Sequence, residues 1–340
     1  MRKIFLSMVF IVALCILGFT FYSTSSYREP GTYPETTLII EPHTGVQQTL
    51  SQLHAAGLTP PMIVTALPVV MSHQYSALKA GEYHFMPGLT PAQIITQIAR
   101  GEIVVHKITI PEGWNSYQVR MAFMAEPLLN GDVPEIAEGS VLPDTMHFTR
   151  GEQRSAVLAR MQKAQVELLF TKLWPMRDTD LPISTPQETI ALASVVEKET
   201  GVASERAMVA GVFTNRLRQG MMLQSDPTVV YGIEVMRGGV PMGRPLSKAD
   251  LATDTPYNSY MRAGLPPTPI CHPGKAALEA ALHPAATDGL YFVATGTGGH
   301  HFAATLAGHE KNVAAYHAVM HDEPPAPVRP AKARKRARLH

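Results

Sequence analysis

The residues best suited to chemistry end a long apolar stretch, Ile190-Ala191-Leu192-Ala193-Ser194-Val195-Val196-Glu197-Lys198-Glu199-Thr200. The spacing predicts a helix. Thr185 is a good N-cap, Pro186 fits the first helical position, and Glu188 completes a capping box. Gly201 follows where a left-handed C-cap is expected. Ile190, Ala193, Ser194 and Glu197 fall at i, i+3, i+4 and i+7 and share one face. Glu197 therefore extends a buried stripe close to the negative end of the helix dipole. Both circumstances disfavour the carboxylate and raise its pKa, which suits a general acid working near neutral pH. The plainer reading makes Glu197, Lys198 and Glu199 a solvated last turn. Glu199, two positions further, points to another face, which argues against a carboxylate pair within this helix. Asp226 and Glu205 remain as second carboxylates from elsewhere, which a hydrolase would need.

A long ordered series of motifs surrounds this run. Ser194-Val195-Val196-Glu197-Lys198-Glu199-Thr200 is followed by Ala203-Ser204-Glu205-Arg206, Val212-Phe213-Thr214-Asn215-Arg216-Leu217, Leu223-Gln224-Ser225-Asp226-Pro227-Thr228 and Tyr257-Asn258-Ser259-Tyr260. Gly264-Leu265-Pro266-Pro267, Pro273-Gly274, His283-Pro284, Leu290-Tyr291-Phe292-Val293 and Gly298-Gly299-His300 complete it. The set resembles the YceG-like family of endolytic murein transglycosylases over roughly residues 38 to 318. The resemblance implies that Glu197, the first Glu of V-E-K-E-T, is the catalytic acid/base. The implied reaction cuts the β-1,4 bond between N-acetylmuramic acid and N-acetylglucosamine inside glycan strands. It leaves 1,6-anhydromuramic ends and terminates nascent strands. One carboxyl group serves both steps, protonating the glycosidic oxygen and then taking the proton of the attacking C6 hydroxyl. Gln224, Asp226, Tyr257, Asn258, Tyr260 and His300 are candidate substrate contacts, since amides bond hydroxyl and N-acetyl groups and Tyr offers a flat apolar face with a polar tip. Bland roles compete: Asp226 before Pro227 as a helix N-cap, Asn258 as a turn residue. His301 and His272 depart from the Thr and Asn usual at their positions in the family.

The elements that must position these residues are read from pattern. The expected fold class is α+β: a single N-terminal transmembrane helix, a strand–helix α/β subdomain that the family resemblance implies is LysM-like, and a mixed α+β catalytic domain. The boundaries are 1–22 for the cytoplasmic N-terminus and anchor, 23–37 for a linker, 38–110 for the LysM-like domain, 111–320 for the catalytic domain and 321–340 for a disordered basic tail. Ile4 to Tyr22 carry no charge and follow Arg2 and Lys3. Nineteen helical residues reach roughly 28 Å, enough for a bilayer's hydrocarbon core. The positive-inside rule then places the N-terminus in the cytoplasm and the catalytic domain outside the inner membrane. A cleaved signal peptide competes, but the apolar run is long for one and lacks an Ala-x-Ala site. Strands are expected near 38–42, 78–85 and 104–110, and helices at 46–56, 91–99, 156–172, 204–219 (Ser204 as N-cap), 276–282 and 310–320. A β-hairpin is expected from 290 to 304.

With 340 residues and a formal net charge of +1, the chain has no global field directed at nucleic acid. Two cysteines, Cys15 and Cys271, imply no disulfide framework. His300, His301 and His309 lie close together, yet no H-E-x-x-H or Cys-rich spacing accompanies them, so neither a metal nor another cofactor is expected. Expected partners are peptidoglycan strands, the membrane and peptidoglycan synthases. A rival reading is a noncatalytic wall-binding scaffold.

Overall fold

The computed structural model describes residues 2–322. The basic tail expected for 321–340 lies, from residue 323 onward, outside the described residues. Among the described residues helix and strand are mixed, with three separate two-stranded sheets. It divides into two compact units. One contains the chain through Ile108 with Glu126–Asp132 and Thr145–Val157; the other contains Thr109–Ala125, Val133–Asp144 and the described chain from Leu158 on.

In the first unit, α1 (Arg2–Arg28) is long and apolar enough to cross a membrane. Strand β1 (Thr36–Ile40) pairs antiparallel with β2 (Gly81–Phe85), Thr36 opposite Phe85 and Ile40 opposite Gly81. Helices α2 (Val46–Ala55) and α3 (Met62–Met71) lie between the two strands in the chain, and α4 (Pro91–Arg100) follows them. Helix α4 starts as its sequence requires. Thr90 Oγ1 accepts the Gln93 N–H at 3.2 Å and Gln93 Oε1 accepts the Thr90 N–H at 2.8 Å, a reciprocal capping box. Gly101 ends the helix at φ 73°, where a side chain would be strained. Ile94, Ile95 and Ile98 then pack with Leu50, Leu53, Tyr83 and Phe85 in one core. Strands β3 (His106–Thr109) and β4 (Thr145–Phe148) form the second sheet.

Helix α3 is not among the elements expected from sequence. It is apolar all round, so no 3.6-residue period stands out, and Pro68 lies inside it. The proline removes the N–H that would bond the carbonyl of Val64. The Ser23 hydroxyl of α1 donates to that carbonyl instead.

The second unit is built on three helices, α7 (Pro186–Glu199), α8 (Arg206–Arg218) and α10 (Lys275–Leu282), which pack pairwise. Before them come α5 (Ser116–Ala125) and α6 (Arg154–Val166), the latter continuing as a π-helical stretch Glu167–Leu173. Helix α9 (Asp226–Met236) precedes a long irregular segment to Gly274. The hairpin β5 (Tyr291–Ala294) and β6 (His300–Ala303) leads to α11 (Leu306–Asp322). Leu192, Val195, Val196, Val209, Phe213, Leu278 and Leu282 form the core of the bundle. A small residue lets the segment after α10 approach α8 closely: a Cβ on Gly211 would meet the Ala285 carbonyl oxygen at 2.6 Å.

Three local expectations are corrected. Gly201 is not left-handed, because α7 ends by extending at Thr200 (φ −133°), whose hydroxyl accepts the Val202 N–H. Ser204 does not cap α8; a 3₁₀ turn Ala203–Glu205 leads in, with the Glu205 carboxylate drawn to His300. Asp226 is the first residue of α9 and Ser225 is its N-cap.

Candidate active site

The capping box at the start of α7 is formed by Thr185 and Glu188, and it fixes the helix register that carries Glu197 to the last turn. Ala193 and Ser194 on the same face are fully buried, and the Glu197 side chain is 6% exposed. One carboxylate oxygen accepts the Gly274 N–H at 3.0 Å. The other lies 3.5 Å from the Arg206 guanidinium, whose same nitrogen stands 3.7 Å from Glu112. Burial raises the Glu197 pKa; the Gly274 bond and Arg206 oppose this, the charge of Glu112 reinforces it, and the net shift is upward. The group thus favours holding a proton, while an N–H and a cation stand ready to stabilise the carboxylate left after it is given up.

The segment carrying Gly274 is pinned from several sides. Ser194, three residues before Glu197, accepts the Ile270 N–H at 2.9 Å and donates to the Ala191 carbonyl at 2.7 Å. The His272 backbone exchanges hydrogen bonds with Gly113 and Trp114 at 3.0 and 2.8 Å. The His272 ring is fully buried, and burial pushes its pKa down to about 3. Its Nδ1 accepts the Val141 N–H at 3.3 Å, so Nε2 carries the proton toward Ser116 Oγ at 3.2 Å. Beside it Glu138 accepts the Ser116 N–H at 3.1 Å and the Tyr231 hydroxyl at 3.0 Å. Burial outweighs those bonds and raises Glu138 to about 7.

Glu199 has its own surroundings. Its carboxyl accepts the Ser225 hydroxyl at 2.8 Å. Burial lifts its pKa to about 7; the Ser225 bond, His300 and Arg216 work against the shift and Asp226 works with it. Asp226, exposed at the start of α9, accepts the Tyr260 hydroxyl at 2.6 Å. Arg216 is buried and bonds the carbonyls of Leu290 and Leu223 at 2.6 and 2.7 Å, tying the hairpin to the loop before α9.

The sequence candidates thus fall into distinct settings. Asp226, Tyr260 and His300 gather electrostatically around Glu199. Gln224 is exposed with φ 49°, its N–H on the Ser259 carbonyl at 3.1 Å. Tyr257 is half-buried, edge-on to Tyr231 at 4.8 Å, its hydroxyl 2.9 Å from Thr268. Asn258 is fully buried: its amide bonds the Leu251 and Thr253 carbonyls and its oxygen accepts the Tyr260 N–H. This is the turn role, with both amide hydrogens occupied within the loop. His300 pairs with Glu205 at 2.7 Å. Burial pushes Glu205 up, but the bonds from His300 outweigh it and leave its pKa lowered. Glu112, Arg206, Gly274 and Glu199 were not among the candidates. Arg206 and Glu199 stand within or beside the motif run, which was the available signal; nothing local marks Glu112. Among the described residues no group of His, Cys, Asp and Glu is arranged to hold a metal ion.

The sequence model of the YceG-like family matches residues 38–315. A Bacillus subtilis (strain 168) protein named endolytic murein transglycosylase is 30% identical over 269 residues, covering 69% of this chain and 72% of that protein. A protein of the same name from Streptococcus pneumoniae (strain ATCC BAA-255 / R6) is 26% identical over 319 residues; the match covers 82% of this chain but 58% of the longer relative. The crystal structure of a YceG-like protein from Listeria monocytogenes shares 26% identity at a TM-score of 0.49, covering 82% of this chain and 99% of that one. With the family match spanning most of its length and the V-E-K-E-T glutamate set in a buried helix end, the chain belongs to the YceG-like family.

Proposed function

We propose that this chain is a membrane-anchored endolytic lytic transglycosylase of peptidoglycan, with Glu197 as its acid/base. The observation that carries the reading is the buried Glu197 carboxyl, its pKa raised, held between the Gly274 N–H and Arg206. Protonated Glu197 donates to the oxygen linking N-acetylmuramic acid to N-acetylglucosamine, and that bond breaks. The carboxylate then takes the proton of the muramyl C6 hydroxyl as its oxygen bonds to C1, closing a 1,6-anhydro ring. Asp226 and Gln224 supply exposed polar groups for the saccharide, with the half-buried Tyr260 bonded to Asp226. The α1 segment sets the chain in the inner membrane with its N-terminus in the cytoplasm, the LysM-like domain positions glycan, and cutting terminates strands made by neighbouring peptidoglycan synthases.

Digestion of purified, peptide-free glycan strands followed by mass spectrometry tests this. Fragments ending in anhydromuramic acid, lighter by one water and resistant to borohydride, are expected. Reducible ends would show water as the nucleophile, and an absence of fragments would leave the scaffold reading. A second reading makes Glu199 the proton donor, favoured by its bond to Ser225 and its pKa of about 7. Glu197→Gln should abolish turnover, whereas Glu199→Gln should leave anhydro products; loss of product only in Glu199→Gln reverses the assignment.

A further inference from the structure

Helix α3 has two apolar faces and only one is covered. Val64, Thr65, Pro68 and Val69 are buried. On the opposite side Ile63 and Val70, with Leu67 between them at i, i+4 and i+7, form a stripe extended by Met71. Ile63 is 69% exposed, Val70 53% and Met71 58%. No residue from Met62 to Met71 is charged. A helix that is apolar all round belongs in a core or in lipid.

Its place beside α1 indicates which. From Ile4 to Tyr22 nearly every side chain of α1 is bare, and burial within the unit begins at Ser23. Ser23 is also the residue that satisfies the Val64 carbonyl freed by Pro68. Further along, the Tyr27 hydroxyl donates to Gln74 at 3.3 Å, just past the end of α3. Ser23 and Tyr27 are separated by only about 6 Å of helix rise, whereas α3 is about 15 Å long. Both contacts fall within the first two turns after the bare apolar run, so α3 packs against the part of α1 that adjoins that run. Tyr22, at the end of that run, and Tyr75, just past α3, are both exposed, and tyrosines favour the lipid–water boundary.

We propose that the Ile63–Leu67–Val70–Met71 face of α3 rests in the headgroup–acyl boundary of the bilayer. The first unit is then seated on the membrane surface as well as tethered to it. This rests on the reading that α1 spans the bilayer. Interfacial helices sink roughly 5–10 Å into that boundary, enough to submerge one row of side chains.

The test uses the full chain with Cys15→Ser, which removes the exposed cysteine and leaves Cys271 buried, in phosphatidylethanolamine/phosphatidylglycerol vesicles. An environment-sensitive fluorophore is attached through Ile63→Cys, Val70→Cys, Leu14→Cys or Glu102→Cys, one at a time. The expected result is blue-shifted emission at positions 63 and 70, with loss of intensity to lipid nitroxides placed near the headgroup. Position 14 should be quenched by nitroxides near the chain end, and position 102 by neither. If 14 is quenched while 63 and 70 behave like 102, the seating is refuted and the anchor stands. If 14 is not quenched by lipid, the anchor reading fails and the proposal with it.

Discussion

Replacing Ser194 by alanine tests whether the helix that carries Glu197 also holds the loop that faces it. The hydroxyl accepts the Ile270 N–H at 2.9 Å in a fully buried setting. Alanine leaves that N–H without a partner, at a cost of about 1–3 kcal/mol. Alanine's better helix propensity returns roughly 0.5 kcal/mol, so a net loss of about 0.5–2.5 kcal/mol is expected. In a domain of this size that lowers the Tm by roughly 1–10 °C. The chain has two tryptophans, Trp114 and Trp174, and both lie in the second unit, so intrinsic fluorescence during heating reports on that unit. Activity should fall as well. Ile270 begins the segment that delivers the Gly274 N–H to Glu197, and small displacements of a catalytic contact cost up to about 10²-fold. Ser194→Cys, with a weak sulfur acceptor, should lie between wild type and alanine. A Ser194→Ala protein with unchanged Tm and turnover would refute the coupling between Ser194 and the loop.

Glu138 and Glu199 are both raised from 4.5 to about 7, so the folded chain keeps protons that the unfolded chain releases between those values. Their contribution is complete below pH 4.5 and is lost as pH rises to about 7, at up to about 1.4 kcal/mol per pH unit for each group. Glu138→Gln and Glu199→Gln should flatten the fall in Tm measured across that window, and an unchanged slope would contradict the assignment. Glu112→Gln removes a negative charge that raises the Glu197 pKa; the alkaline limb of the pH–rate profile should move to lower pH, and a shift to higher pH would contradict the geometry. Gly274→Ala keeps an allowed backbone (φ −74°), but its Cβ would overlap the Glu112 carboxylate. Glu112 must swing away, so the same limb should move in the same direction with a lower Tm.

The helix bearing Glu197 was legible because its determinants are local. Thr185, Pro186 and Glu188 cap it, and the i, i+3, i+4, i+7 spacing of Ile190, Ala193, Ser194 and Glu197 follows from helix geometry alone. The capped start of α4 and the 290–304 hairpin were legible for the same reason. The apolar run of α1 was legible through length and absence of charge. Helix α3 was not, because the scarcity of polar positions hides its period and the Val64 carbonyl that Pro68 leaves free is met by a hydroxyl 41 residues before Val64. The partners of Glu197 lie beyond local pattern: Arg206 and Gly274 are brought to it by the packing of α7 against α8 and α10, and Glu112 stands beside Arg206 on a segment that Gly113 and Trp114 bond to His272. Spacing placed Glu199 on another face than Glu197, which holds, but not that this face is itself buried against Ser225. Sequence alone thus determined which carboxyl ends a buried stripe. Tertiary structure decided its protonation, because desolvation and neighbouring charges depend on what distant segments bring within a few ångströms.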